Sequence, residues 1–290
     1  MSSAPLSQTD SPRGLVYAIA AYGLWGFLPI YMKALAHVPP LEVIAHRVIW
    51  SLPIAGAVLL WQGRQGEVLA ALDAAGVAER TLVLFTSDNG GMFNRGGQTA
   101  WETGHRLNGE LLGMKFGAWE GGHRVPLLAR WPGRIAAGAQ SGALVSNLDF
   151  LATFAELVGR SLGSGEGPDS ISLLPLLLGH DSVPVRETLL ISPARKSHLA
   201  VRHGRWMYIP AQDEGGFSGT RPGEHDFAGA AVLPFTGQSN SDVVDGRIRP
   251  DAPPAQLYDL QADPRQAQNL FAERPEVVRE MQALLDRLTR

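Results

Sequence analysis

The sequence predicts an α/β fold that passes into a small antiparallel sheet with one covering helix, the whole preceded by a two-helix membrane hairpin. Three observations carry this reading. Two uncharged apolar stretches, Gly14–Met32 and Val48–Gly63, stand near the start. Two apolar, strand-like runs, Thr81–Thr86 and Arg124–Trp131, are separated by a stretch rich in glycine and charge. Beyond Thr188 the apolar segments shorten and are broken by turn residues, as in a small antiparallel sheet.

Composition sets the outer limits. The chain has 290 residues, enough for one large domain or two smaller ones. Charged residues make up 18%, against about 25% in an average soluble domain. The net charge of −3 is uneven: residues 1–66 carry four Lys/Arg against Asp10 and Glu42, and the remainder carries 21 against 26. Neither part has a basic patch suited to a phosphate backbone, so nucleic acid is not an expected partner. There are no cysteines, which excludes disulfides, cysteine-based zinc sites and a cysteine nucleophile.

Residues 1–12 form a polar tail. Gly14–Met32 then runs 19 residues without a charge, about the length that spans a bilayer core as a helix. Tyr17, Tyr22, Trp25 and Tyr31 suit the membrane interface, and Pro29 kinks the helix near its end. Val48–Gly63 is 16 residues, about 24 Å as a helix, and spans only if Leu41–Arg47 is included, which brings Glu42, His46 and Arg47 to the boundary. A cleaved signal peptide and a buried soluble helix pair are the competing readings. No A-x-A-like site follows the first segment and a second apolar segment does, so a membrane hairpin over 13–63 fits better. Arg13 and Arg64 flank the hairpin and place both ends in the cytoplasm, with Lys33 and Arg47 in the connecting loop opposing that orientation.

From about Gly66 the pattern changes. Glu67–Val77 has apolar residues at helical spacing and reads as an amphipathic helix leading into the Thr81–Thr86 strand. Leu144–Val158 reads as a second amphipathic helix, Ser161–Ser170 as a loop, and Ile171–Gly179 as an apolar turn or short helix. Thr188–Ser192, Leu199–His203 and Trp206–Ile209 read as strands, the last two joined by a tight turn at His203-Gly204-Arg205. Gln212–Pro253 is polar and rich in Gly and Pro, which reads as a long surface loop. Gln256–Leu260 is the last strand, and Pro275–Leu288 is a helix with proline in its first turn. The expected parts are a tail over 1–12, the hairpin over 13–63, a sheet-bearing part over 64–160 and a small C-terminal part over 161–290.

Chemistry concentrates between the two apolar runs. The Thr81–Thr86 strand stops at Ser87-Asp88-Asn89-Gly90-Gly91, and in open α/β sheets ligands bind just past the carboxyl ends of strands. Asp88 and Asn89 offer adjacent hard oxygens of the kind Ca²⁺ or Mg²⁺ takes. Asn-Gly equally marks a plain β-turn. Lys115 can contact an anion as a point charge, or can simply be solvated. Glu120 caps the turn at Gly121-Gly122 or pairs with Arg124. The eight histidines show no paired metal spacing, and His105 and His123 have no assigned role.

Two resemblances add to this. Residues 14–62, with Leu24-Trp25-Gly26, Pro29, Pro39-Pro40-Leu41-Glu42, His46-Arg47 and Trp50-Ser51, resemble the first two helices of the drug/metabolite transporter (EamA) superfamily. Two helices cannot build a transport path, so this implies membrane insertion alone. Residues 66–290 resemble the C-terminal half of sulfatases, in the alkaline-phosphatase superfamily. The matching pieces, in order, are Thr81–Gly91, Lys115, Trp119–Gly122, Arg124-Val125-Pro126, Trp131–Arg134, Val145–Leu157, Ser172–Leu177, the Ala200–Ile209 hairpin, Leu257–Leu260, Asp263-Pro264 and Asn269-Leu270.

The sulfatase resemblance implies a partial alkaline-phosphatase-like sheet and sulfuric-ester hydrolysis. It implies that Asp88 and Asn89 are divalent-metal ligands, usually for Ca²⁺, and that Lys115 contacts the sulfate ester. It implies no catalytic role for Glu120 or Arg124, which shape the loop. Sulfatases attack with a formylglycine made from a C/S-x-P-x-R motif in the first half of the domain; none stands ahead of Thr81, and Ser11-Pro12-Arg13 and Ser192-Pro193-Ala194-Arg195 have the wrong spacing. Formylglycine is therefore expected to be absent, no residue is assigned as catalytic, and the chain is expected to be inactive alone. Its expected partners are a sulfate ester or another small anion, and a membrane. A membrane-tethered, non-catalytic anion-binding module is the alternative, and the abrupt change near Gln62–Gly66 also fits a chimera of two genes.

Overall fold

A computed structural model describes residues 65–180 and 185–289. The membrane hairpin expected over 13–63 lies outside the described residues. Among the described residues no helix is long and apolar enough to cross a membrane. The chain divides into two compact units, Met1–Gly76 and Val77–Arg290.

In the first unit the described part is one helix, α1 (Gln65–Ala74), followed by Gly76 in a left-handed conformation at φ +65°. A helix is thus present where an amphipathic one is expected over Glu67–Val77, but it starts at Gln65 and ends at Ala74. Its residues are mostly exposed, with Leu69 and Leu72 half-buried.

The second unit opens with a 3₁₀ turn (Ala78–Arg80) that leads into β1 (Val83–Thr86). Two helices follow, α2 (Arg95–Glu102) and the four-residue α3 (Glu120–His123). α2 is capped by Asn94, whose side chain accepts from Gly97 N at 2.9 Å. β2 (Leu127–Arg130) begins one residue after Pro126, where a missing N–H costs nothing. It pairs antiparallel with β1, in the register Val83↔Arg130 to Thr86↔Leu127. The ribbon stays two-stranded, so its apolar faces are only partly covered: Phe85 is 43% exposed and Leu128, directly opposite it, 62%. The two strands expected from these apolar runs are therefore present but half-exposed.

The helix expected over Leu144–Val158 starts later. Leu144 makes an isolated bridge to Arg186, and Ser146 caps a 3₁₀ turn (Asn147–Asp149) through a reciprocal capping box with Asp149. The helix proper is α4 (Phe150–Leu157). Asp149 is buried, and Arg186 pairs with it from the start of the next region. After α5 (Leu174–Leu177) come β3 (Thr188–Ile191), β4 (Ala200–His203) and β5 (Trp206–Ile209). Gly204 and Arg205 make the expected two-residue turn, with Gly204 at φ +55°.

Gln212–Pro253 is the largest departure from the sequence expectation. It contains a 3₁₀ turn (Gly229–Val232), α6 (Leu233–Thr236) and a hairpin of β6 (Val243–Val244) and β7 (Arg247–Ile248). Glu214, Phe227, Val232, Leu233, Asn240 and Asp242 are buried within it. Its Gly and Pro content reads as loop, yet the apolar run Phe227–Phe235 drives it onto the core.

β8 (Gln256–Asp259) completes an antiparallel sheet of order β3-β4-β5-β8, and α7 (Pro275–Leu288) packs across β4 and β5. Both faces of this sheet are covered. Ile191, Ala200, Met207, Ile209 and Tyr258 pack with Leu112, Trp119 and Leu233 on one side. Val201, Tyr208 and Leu257 pack with Val278, Met281 and Leu285 of α7 on the other.

Candidate functional site

Asp88 and Asn89 follow β1 in a bend, Asp88 exposed and Asn89 half-buried. The segment does not close a hairpin, because β1 pairs with the distant β2. It is held by its backbone instead. Ser87 Oγ donates to Asn89 O at 2.8 Å, and Asn147 Nδ2 donates to Ser87 O at 2.9 Å. Gly90 N donates to Gly122 O at 3.0 Å. This approach requires glycine: a Cβ on Gly90 would lie 1.7 Å from Gly121 O. The next residue, Gly91, receives Lys115 N on its carbonyl at 2.9 Å. The chain that carries Lys115 is thereby laid beside the strand end that carries Asp88 and Asn89.

Lys115 is half-buried, with Nζ 5.0 Å from the centroid of the Phe116 ring. Phe116 has φ +74°, a left-handed conformation that costs a bulky residue on the order of 1–3 kcal/mol. Its carbonyl accepts from Ala194 N at 2.9 Å, and its ring lies 4.6 Å from that of Phe217, centroid to centroid.

Beneath this loop sits Glu214, fully buried. Its Oε2 accepts from Met114 N at 3.0 Å and its Oε1 from Gly229 N at 2.7 Å. Its own carbonyl accepts from Ala118 N at 2.7 Å. One residue therefore clips the loop on either side of Lys115 and Phe116. Gly117 makes room for it, since a Cβ there would lie 2.2 Å from Glu214 Oε2. Burial, and after it the neighbouring Asp213, push the Glu214 carboxyl up to about 8 against the opposing pull of the two N–H donors.

A second buried carboxylate fixes the far end of the loop. Glu120 Oε2 accepts from Arg124 Nη1 at 3.1 Å, the pairing the sequence suggests, and lies 3.7 Å from Arg202 Nη1. Its Oε1 has no hydrogen-bond partner and lies 4.0 Å from His123 Nε2. Glu120 N donates to Gln266 Oε1 at 2.7 Å, and Trp119 Nε1 to Gln256 Oε1 at 2.8 Å, so the turn is tied to the C-terminal sheet region. Burial holds His123 below its usual pKa, with Glu120 opposing. His105 is exposed.

Sequence reasoning thus missed Glu214, Gln266 and Arg202, all of which position the loop. Their partners lie far away along the chain, and no spacing rule links them. The one available signal is the Phe227–Phe235 run, which marks its surroundings as packed.

Residues 66–160 match the family described as Sulfatase. The chain is 34% identical to an N-acetylgalactosamine-6-O-sulfatase of Bacteroides thetaiotaomicron, over 76% of this chain and 39% of that protein. It is 30% identical to arylsulfatase A of Homo sapiens, over 80% of this chain and 42% of the relative. It is 44% identical to steryl-sulfatase of Rattus norvegicus over a shorter stretch, 40% of this chain and 20% of the relative. A solved structure from a glycosaminoglycan-metabolising locus of Bacteroides thetaiotaomicron aligns with a TM-score of 0.59 and 31% identity, over 78% of this chain and 42% of that one. The chain spans about two fifths of the length of two of these relatives, 39% and 42%. The sulfatase likeness expected from the sequence is therefore present in both sequence and fold. The transporter-like segment over 14–62 lies outside the described residues.

The resemblance to sulfatases implies Ca²⁺, and the donor set here can be tested against it. Asn89 Nδ2 donates to Gly90 O at 2.9 Å, which leaves the amide oxygen as a free acceptor. With the Asp88 carboxylate this makes two side chains for an ion that takes six to eight oxygens. Among the described residues no group of three or more His, Cys, Asp or Glu could hold a metal. Among the described residues, Asp88 and Asn89 do not make a Ca²⁺ site by themselves.

Proposed function

We propose that this chain carries the anion-holding part of a sulfate-ester site and does not hydrolyse the ester alone. The observation that supports it most is the bond from Lys115 N to Gly91 O, which sets the lysine beside the strand end bearing Asp88 and Asn89. In this reading the Lys115 ammonium neutralises a sulfate oxygen, and Asp88 and Asn89 offer two oxygens toward a metal whose other ligands are not found among the described residues. Glu214 and Glu120 keep the backbone of the loop in place and touch no substrate. Attack on sulfur needs an activated nucleophile. The chain has no cysteine, and its one S-x-P-x-R sequence, Ser182–Arg186, stands far along the chain from the strand end that bears Asp88 and Asn89, with its arginine paired to Asp149.

Two measurements on the full chain test this. Incubation with an aryl sulfate and Ca²⁺ gives no turnover above background, and sustained turnover would sink the claim of inactivity. Lys115→Ala weakens binding of inorganic sulfate about tenfold, the scale of one hydrogen bond to a charged group. Unchanged binding would remove the lysine from the site.

A further inference from the structure

Resting on that reading of Lys115, we propose that Phe116 and Phe217 form the wall that receives the ring of the ester's organic group, so that the site prefers a sulfated ring to free sulfate. Three observations lead there. Phe116 occupies a left-handed position, φ +74°, that glycine or asparagine fills without strain. A turn alone has no use for a phenyl group there. The residue is also held in place. Ala194 holds its carbonyl, Glu214 clips the chain at Met114 and Ala118, and Phe217 packs on it from a distant loop. Even so packed, Phe116 stays 40% exposed, so part of it is open to a ligand.

Its distance from the lysine suits a ligand that bridges the two. An oxygen bonded to Nζ lies about 2.9 Å from it. The carbons beyond that ester oxygen lie a few ångströms further on, the scale of the 5.0 Å between Nζ and the Phe116 centroid. A ring face laid on a phenyl group is the shared chemistry, and an aryl sulfate supplies it with its π face, a sugar sulfate with the C–H face of its chair.

The test is a set of titrations of the full chain with inorganic sulfate, 4-nitrophenyl sulfate and a hexosamine 6-sulfate. At least one ring ester binds roughly three- to tenfold tighter than inorganic sulfate, the scale of one aromatic contact. Which ester gains identifies the ring source. Phe116→Gly abolishes that preference, so that ring ester and inorganic sulfate bind it alike. This variant suits the backbone better than the native residue, so misfolding does not explain a loss, and its melting temperature checks that directly. Phe217→Ala reduces the preference in the same direction. A ring preference that is absent, or that survives both substitutions, overturns the proposal. Sulfate binding that survives Lys115→Ala overturns the lysine reading instead, and a chain that binds none of the three probes overturns both.

Discussion

The β1–β2 ribbon and the β3-β4-β5-β8 sheet are built from strands of the same four-residue length, yet they live in different surroundings. The ribbon is the more apolar by sequence, with Leu84 facing Ala129 and Phe85 facing Leu128 across the pair. It is also the more exposed. The sheet includes Arg202, His203, Gln256 and Asp259, and buries Val201, Met207, Ile209 and Leu257 completely. Burial is thus decided by what covers a face, not by how apolar the strand is. A two-stranded ribbon with no cover is marginal by itself. The candidate site sits at the end of the ribbon but is tied to the sheet, through Glu120 to Gln266, Trp119 to Gln256, and the loop to Glu214.

Substitutions matched across the two regions sharpen this contrast. The largest effect falls in the sheet: Leu257→Ala removes a fully buried side chain and costs about 2–5 kcal/mol in urea denaturation. A cost as small as that of a surface change would show that the sheet is not the stable part. Next is Gly90→Ala, whose Cβ would meet Gly121 O at 1.7 Å. Forcing the two segments apart costs about 1–3 kcal/mol and weakens sulfate binding as Asp88–Asn89 and Lys115 separate. Wild-type affinity in that variant would break the link between ribbon end and loop.

Glu214 gives a pH signature. Its folded pKa of about 8 lies above the ordinary 4.5, so the native state keeps a proton that the unfolded chain has released. The contribution is therefore complete below 4.5 and is lost as pH rises toward about 8. Denaturation midpoints that fall across this window in the wild type, and a flatter dependence in Glu214→Gln, are the expected result. Identical slopes would place the ionised form in the fold. The smallest effect is Phe85→Thr on the open ribbon face, within about 0.5 kcal/mol. A loss near that of Leu257→Ala would mean the face is covered in solution.

Local signals served the sequence reading well where structure is local. Pro275–Leu288 is helical over the expected residues because proline at its first position and apolar spacing suffice to specify it. The Trp206–Ile209 strand and its Gly204-Arg205 turn follow from β-propensity and one glycine. The same holds for the Glu120–Arg124 pair, one helical turn apart. Gln212–Pro253 shows the limit. A buried carboxylate is specified by N–H groups of Met114 and Gly229, the first far upstream, and such partners leave no periodicity behind. The shortened α4 is a similar case, since the Ser146 cap that starts it late depends on its pairing with Asp149.

The loop around Lys115 is gripped almost wholly by its main chain: Lys115 N on Gly91 O, Met114 N and Ala118 N on Glu214, Phe116 O under Ala194 N. None of these bonds depends on the identity of the side chains at 88, 89, 115 or 116. The frame therefore leaves those four positions open to change. Mutation could rewrite which anion, or which ring, is accepted there while the scaffold keeps its shape, so this corner of the fold is suited to diversifying its ligands and is a natural place to begin redesigning them.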